Sequence, residues 1–174
     1  MRGVITVITS VEPTSAEKTT TRLLWLDLTR KCQLNCTHCY NASGPDGTHG
    51  TMTGEDWISV LDQATAYGVR NIQFIGGEPT MHPDFTDLVD HALTIGLHVE
   101  VFSNLVHVSN ECWEIFQRRG VSLATSYYSD RAEEHEGMTR RRSHDRTRTN
   151  IERHDDNDDE CSPGFPGTEC TPRN

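Results

Sequence analysis

The sequence predicts an α/β protein built around a parallel sheet. Three observations lead to this fold class. Short strand-like runs alternate with amphipathic segments between residues 22 and about 127, and glycines lie between many of these segments. Polar motifs follow the ends of the strand-like runs. Alternating strands and helices imply parallel pairing with right-handed crossovers. A (β/α) barrel, a partial barrel and a doubly wound sheet all fit this pattern. In each of them, ligands bind at the carboxyl ends of the strands.

The first half of this region contains two predicted strands around one helix. The run "RLLWLDLT" (22–29) is typical of a buried strand. Thr53 is a suitable N-cap for a helix that ends near Gly68, and its apolar positions have helical spacing: Trp57, Val60, Leu61 and Ala64. The run "RNIQFI" (70–75) predicts the second strand.

The second half repeats the same alternation. Pro83 is expected to open a helix that stops at Gly96 and carries one apolar stripe: Phe85, Leu88, Val89, Ala92 and Leu93. The run "HVEVFS" (98–103) predicts the third strand. Ser109 is expected to cap a short helix closed by Gly120, and "VSLATSYY" (121–128) predicts the fourth strand. The sequence therefore supplies about four βα units.

Composition and charge limit the partners and the compartment. A chain of 174 residues can form one domain with a core, and its formal net charge of −10 argues against general binding of nucleic acid. No apolar run approaches the roughly 20 residues of a membrane span, and the N-terminus lacks the pattern of a signal peptide. We therefore expect a cytoplasmic, reducing compartment without membrane association, in which cysteines act as ligands rather than disulfides.

The domain plan has three parts. Residues 1–21 are predicted to form an N-terminal extension, and residues 22–153 the folded core. Residues 154–174 begin with the acidic run "HDDNDDE", continue with Pro and Gly, and offer no periodic apolar face. We expect this tail to be disordered.

Three cysteines follow the first predicted strand in the stretch "CQLNCTHCY". Cys32, Cys36 and Cys39 form a C-x3-C-x2-C run. They could line one face of a helix as core residues, or hold zinc with His38 or the distant Cys161 and Cys170 as further ligand. They could also hold three irons of an iron–sulfur cluster and leave the fourth iron open to a small molecule.

Together with the stretch "FIGGEPT" (74–80), this run resembles the radical S-adenosylmethionine (radical SAM) superfamily. The cysteine spacing matches the signature of that family, and the second stretch resembles its GGEP motif at the end of the second strand. The resemblance implies a partial (β/α) barrel of radical SAM type in which the three cysteines hold a [4Fe-4S] cluster. It also implies that the backbone of the motif holds the methionine amino group of S-adenosylmethionine, through Gly76, Gly77, Glu78 and Pro79.

Further contacts with S-adenosylmethionine follow from the same resemblance. Polar residues at the ends of the third and fourth strands, Ser103, Asn104 and Ser126, are expected to contact its methionine and ribose groups. His38 and Tyr40 flank the cysteines and are expected near the adenine. One arginine among residues 140–142, Arg141 in our prediction, is expected to pair with the methionine carboxylate. Considered singly, the serines and Asn104 also fit turns, and the arginines fit a solvated helix start.

The resemblance also implies a reaction. An electron from a flavodoxin- or ferredoxin-type reductant cleaves S-adenosylmethionine, and the resulting 5′-deoxyadenosyl radical abstracts hydrogen from a substrate. The segment 126–151 resembles peptide-modifying members with SPASM-type extensions, which implies a peptide or protein substrate.

The sequence departs from the family pattern in two respects. It supplies about four βα units where the family barrel has six, and no cysteine-rich extension follows. The resemblance covers roughly residues 22 to 152, so we expect a truncated core. The alternative to an enzyme is therefore a catalytically inactive fragment that binds an iron–sulfur cluster or zinc.

Overall fold

A computed structural model of the chain describes residues 23–157. Its centre is a sheet of four parallel strands in the order β1-β2-β3-β4. The strands are β1 (Leu23–Asp27), β2 (Asn71–Ile75), β3 (His98–Phe102) and β4 (Val121–Ala124). Each strand pairs with the next one in sequence, which confirms the predicted parallel α/β architecture.

Helices connect the strands and continue beyond the last one. They are α1 (Gly54–Ala66), α2 (Phe85–Thr94), α3 (Asn110–Phe116), α4 (Ala132–Thr139) and α5 (His144–Asn157), with a 3₁₀ turn at Pro79–Met81. The predicted caps are present. Thr53 and Asp56 form a capping box at the start of α1, and the Ser109 hydroxyl accepts a hydrogen bond from the Cys112 N–H at the start of α3.

The core lies on one face of the sheet, against α1, α2 and α3. Alternate strand residues point to this face, where Leu26 is in register with Phe74, and Val101 with Leu123. Phe74 also packs edge-on against Phe85 of α2, with 6.2 Å between ring centroids. The opposite face of β1 exposes Leu23 and Trp25. Within residues 23–157 the sheet is thus covered by helices on one side.

The structure differs from the predicted boundaries at several elements. Strand β4 ends at Ala124 rather than residue 128, because its neighbour β3 ends at Phe102, the partner of Ala124. Helix α2 begins at Phe85, two residues after Pro83. Residues 132–139, for which no helix was predicted, form α4, and at its start Arg131 pairs with Glu134 one turn later.

The last helix also extends further than expected. Helix α5 continues to Asn157, so residues 154–157 belong to a helix and not to a disordered tail. Two contacts involve the turns of α5 just before these residues. Arg148 pairs with Glu152, and the Arg153 guanidinium lies 4.4 Å from the centroid of the Trp113 ring. The rest of the predicted tail and the N-terminal extension 1–21 lie outside the described residues.

Candidate functional site at the carboxyl ends of the strands

A cavity of about 290 Å³ lies where the strands of the sheet end. It brings together most of the residues predicted from the sequence. The predicted residues that line it are Cys32, Cys36, His38, Cys39, Tyr40, Gly76, Gly77, Ser103, Asn104 and Ser126. This placement follows from the parallel sheet, because its strands all direct their carboxyl ends to one edge.

The loop that carries the cysteines packs directly on the glycine turn after β2. The Gly77 N–H donates to the Thr29 carbonyl at 2.6 Å, and the Glu78 N–H donates to the Lys31 carbonyl at 2.9 Å. A Cβ atom at Gly77 would lie 2.4 Å from the Lys31 oxygen, and one at Gly76 would lie 2.5 Å from the Thr29 oxygen. The two glycines are therefore required for the approach of the cysteine loop, since any side chain would displace its backbone.

Helix α4 holds the other side of the same loop. The Asn35 N–H donates to the Thr139 carbonyl at 3.1 Å, and the Thr37 N–H donates to the Met138 carbonyl at 2.9 Å. Beneath the loop, Leu34 and Val106 form a small buried cluster with Cys32. The loop is thus fixed on three sides, although it contains no regular secondary structure.

The three thiols are free and lie in different environments. Burial raises the pKa of Cys32 to about 11, and burial likewise raises the pKa of Cys36. The Cys32 sulfur accepts the Leu34 N–H at 3.4 Å, and the Cys39 sulfur accepts the Ser43 N–H at 3.3 Å. No three His, Cys, Asp or Glu side chains within residues 23–157 are arranged to hold a single metal ion. The donor set fits an iron–sulfur cluster, in which each thiolate binds a different iron and backbone N–H groups donate to the sulfurs.

Glu78 follows the glycine turn but does not line the cavity. Its side chain is fully buried, and burial raises the pKa of its carboxyl group. One carboxyl oxygen accepts the Asn104 N–H at 2.8 Å, and the other accepts the Thr80 hydroxyl at 2.8 Å. Glu78 therefore ties the turn after β2 to the turn after β3.

Two other predicted residues also lie away from the cavity. Pro79 is buried in the 3₁₀ turn. Arg141 is exposed, and its carbonyl accepts hydrogen bonds from the hydroxyls of Thr139 and Ser143. The structure does not bring Arg141 to the cavity, and its pairing with a carboxylate stays a prediction.

At the rim of the cavity, aromatic side chains stand around the cysteines. Tyr40 is 78% exposed, and the His38 ring meets the Tyr128 ring edge-on at 5.0 Å between centroids. The flat faces of such side chains suit a planar heterocycle. Ser126 lies on the same wall as Tyr128, after the end of β4.

Several residues that line the cavity were not predicted: Leu34, Ser43, Ile75, Phe102, Tyr128, His135 and Thr139. Tyr128 belongs to the strand-end segment that pointed to Ser126, so that segment carried a signal. His135 is buried on α4, and its Nδ1 accepts the Tyr128 N–H at 3.4 Å. Burial, with a smaller effect of His144, lowers the pKa of His135. Its place at the cavity depends on α4, which the sequence did not predict.

This is a parallel α/β protein with three free cysteines at the strand ends, and comparison with known proteins identifies its family. The Radical SAM superfamily profile matches residues 26–157, more than half of the 174-residue chain. The chain belongs to the radical SAM superfamily.

Similar proteins include several named PqqA peptide cyclase. The PqqA peptide cyclase of Streptomyces rochei is 36% identical over 96 residues, which cover 55% of this chain and 26% of the relative. The PqqA peptide cyclase of Xanthomonas oryzae pv. oryzae is 40% identical over 81 residues, which cover 47% of this chain and 21% of the relative. The chain thus spans about a quarter of the length of these relatives.

Solved structures share the fold. SuiB of Streptococcus suis bound to precursor peptide SuiA has a TM-score of 0.70 at 18% identity, covering 78% of this chain and 30% of that one. Native anSMEcpe with bound AdoMet has a TM-score of 0.63 at 17% identity, covering 78% of this chain and 41% of that one. These similarities confirm the partial radical SAM (β/α) fold. In the part of the chain that the structure describes, no helix has the length and apolar character needed to cross a bilayer.

Proposed function

We propose that this chain contains the cluster- and S-adenosylmethionine-binding part of a radical SAM enzyme that modifies a peptide. The observation that carries the proposal is that three free thiols and the Gly76–Gly77 turn line one cavity at the strand ends. Cys32, Cys36 and Cys39 would hold a [4Fe-4S] cluster. With S-adenosylmethionine bound, such a cluster supplies the electron for reductive cleavage to a 5′-deoxyadenosyl radical.

The residues of the cavity would bind and orient S-adenosylmethionine. The glycine turn presents backbone groups close to the thiols, where the methionine amino group would bind, and Glu78 and Pro79 hold that turn in place. Ser103 and Ser126 follow β3 and β4 on the same wall and would contact the methionine and ribose groups. His38 and Tyr40 at the rim would cover the adenine.

A peptide is the substrate class that the relatives support. Two of them are named PqqA peptide cyclase, and SuiB was solved with a precursor peptide. Since the cluster would need an electron from outside, we propose a flavodoxin- or ferredoxin-type reductant as partner. A reducing cytoplasm is the compartment in which such thiols stay available as ligands.

The test is anaerobic reconstitution with iron and sulfide, followed by addition of S-adenosylmethionine and dithionite. We expect an iron–sulfur absorption spectrum and 5′-deoxyadenosine, quantified by chromatography. Cys36→Ala should abolish the product, whereas Cys112→Ala, which removes a buried thiol on α3, should retain it.

The other outcomes identify the alternatives. A cluster without 5′-deoxyadenosine would contradict catalysis by this chain and leave a cluster-binding fragment. Zinc bound in place of iron would contradict the iron–sulfur assignment of the three cysteines.

A further inference from the structure

The side chain of Asn104 is directed at a cysteine by a set of hydrogen bonds. Its Nδ2 lies 3.6 Å from the Cys32 sulfur. Its Oδ1 accepts the Gln33 Nε2–H and the Val106 N–H, each at 2.9 Å. A carbonyl oxygen has two lone pairs, so both acceptor positions of this amide are in use. With the oxygen facing two donors, the amide nitrogen has to face the sulfur.

Hydrogen bonds also fix the backbone of Asn104. Its N–H donates to Glu78 at 2.8 Å, and its carbonyl accepts the Thr147 hydroxyl of α5 at 3.0 Å. The next residue, Leu105, is buried with a φ of 55°, and its carbonyl accepts a hydrogen bond from the Asn150 side-chain amide at 2.7 Å. A left-handed backbone at a bulky residue persists only where the surroundings fix it. Asn104 is thus positioned by the turn after β2 and by α5 before any ligand binds.

These contacts make the surroundings of the cysteines unequal. Cys32 is the buried one of the three and receives N–H groups from both Leu34 and Asn104, whereas Cys39 receives the Ser43 N–H. Hydrogen bonds to a ligand sulfur withdraw negative charge from it, which stabilises the reduced cluster and raises its reduction potential.

We infer that Asn104 donates a hydrogen bond to the Cys32 sulfur and raises the reduction potential of the cluster, and that it does not bind S-adenosylmethionine. This inference rests on the proposed function. It changes the role that the sequence pattern suggested for Asn104, from a ligand of the small molecule to a positioning residue of the cluster.

The test combines two measurements on the reconstituted protein. A redox titration monitored by electron paramagnetic resonance gives the midpoint potential of the cluster, and equilibrium dialysis gives the affinity for S-adenosylmethionine. Asn104→Leu removes the donor without adding charge, and Asn104→Asp keeps an oxygen for Gln33 and Val106 but replaces the donor with a negative group. We expect the midpoint potential to fall in both variants, and to fall further in Asn104→Asp than in Asn104→Leu. The fall in Asn104→Leu should correspond to about a fivefold or larger change in the ratio of oxidised to reduced cluster.

Two further variants complete the design. Gln33→Met leaves Asn104 in place but removes one of the groups that orient it, so a smaller fall is expected even if substitutions of Asn104 itself prevent folding. Asn110→Asp makes the same change at an exposed position on α3 and should leave the potential unchanged. S-adenosylmethionine affinity should stay within about twofold of the wild type in all of them.

The results that would overturn the inference are distinct from failure of the proposed function. An unchanged potential with weakened S-adenosylmethionine affinity would make Asn104 a ligand of the small molecule. A potential that falls in Asn104→Asp alone would show an effect of charge and not of the hydrogen bond. A wild-type protein that assembles no cluster would contradict the proposed function, and this inference with it, before Asn104 is changed.

Discussion

Glu78 carries an ionisable group in a fully buried place, and this makes the stability of the protein depend on pH. Burial raises its pKa above the ordinary value of 4.5, although hydrogen bonds from Asn104 and Thr80 act in the opposite direction. The folded state therefore binds more protons than the unfolded state above that pH, and the contribution of Glu78 to stability falls as the pH rises. Glu78→Gln removes this dependence. We expect the free energy of unfolding of the variant, relative to wild type, to improve from about pH 4.5 towards neutrality.

Denaturant titrations of the metal-free wild type and of Glu78→Gln at a series of pH values measure this difference. At low pH, the difference in the free energy of unfolding reflects the replacement of a carboxyl group by an amide beside the donors of Asn104 and Thr80. Only the change of this difference with pH tests the prediction. A difference that stays constant across the series would show that burial does not raise the pKa of Glu78.

Single residues of the site were predicted from the sequence to different degrees. The three closely spaced cysteines and the glycine pair can be recognised in the sequence, because their residue types and spacing indicate the chemistry. The contact of Gly77 with the Lys31 carbonyl cannot be predicted in this way, because it joins residues far apart in the chain. The same holds for Asn104, whose direction depends on Gln33 and on helix α5.

At the scale of elements, helix α5 contacts the turn after β3 that carries Asn104. Thr147 is buried, and its hydroxyl donates to the Asn104 carbonyl at 3.0 Å. Thr147→Val keeps the shape of the side chain but removes this donor, so we expect a loss of about 1 kcal/mol in the free energy of unfolding. Thr149→Val, on the exposed side of the same helix, should change it by less than about 0.5 kcal/mol. Equal losses in the two variants, measured by denaturant unfolding, would show that the contact with Asn104 does not stabilise the fold.

The sequence predicted the elements up to β4 well, because each of them repeats an apolar pattern between glycine breaks. It did not predict α4, which has few apolar residues and is held by its contacts with the cysteine loop. The length of α5 was missed for a similar reason. Its last turns are highly charged, and the contact of Arg153 with Trp113 is visible only in three dimensions.

At the scale of the whole molecule, the two faces of the sheet differ in what covers them. Phe74 lies between the sheet and α2 and is 1% exposed, whereas Trp25 on the opposite face is 65% exposed. Phe74→Ala should therefore cost about 3–5 kcal/mol or unfold the protein, because it leaves a cavity in the core. Trp25→Ala should cost less than about 1 kcal/mol, since most of its ring already contacts water. Denaturant unfolding of the two variants measures both effects. A large cost for Trp25→Ala would mean that this face is covered in solution. A cost that rises with protein concentration would then identify the cover as a second copy of the chain, and a cost independent of concentration would place it within the same chain.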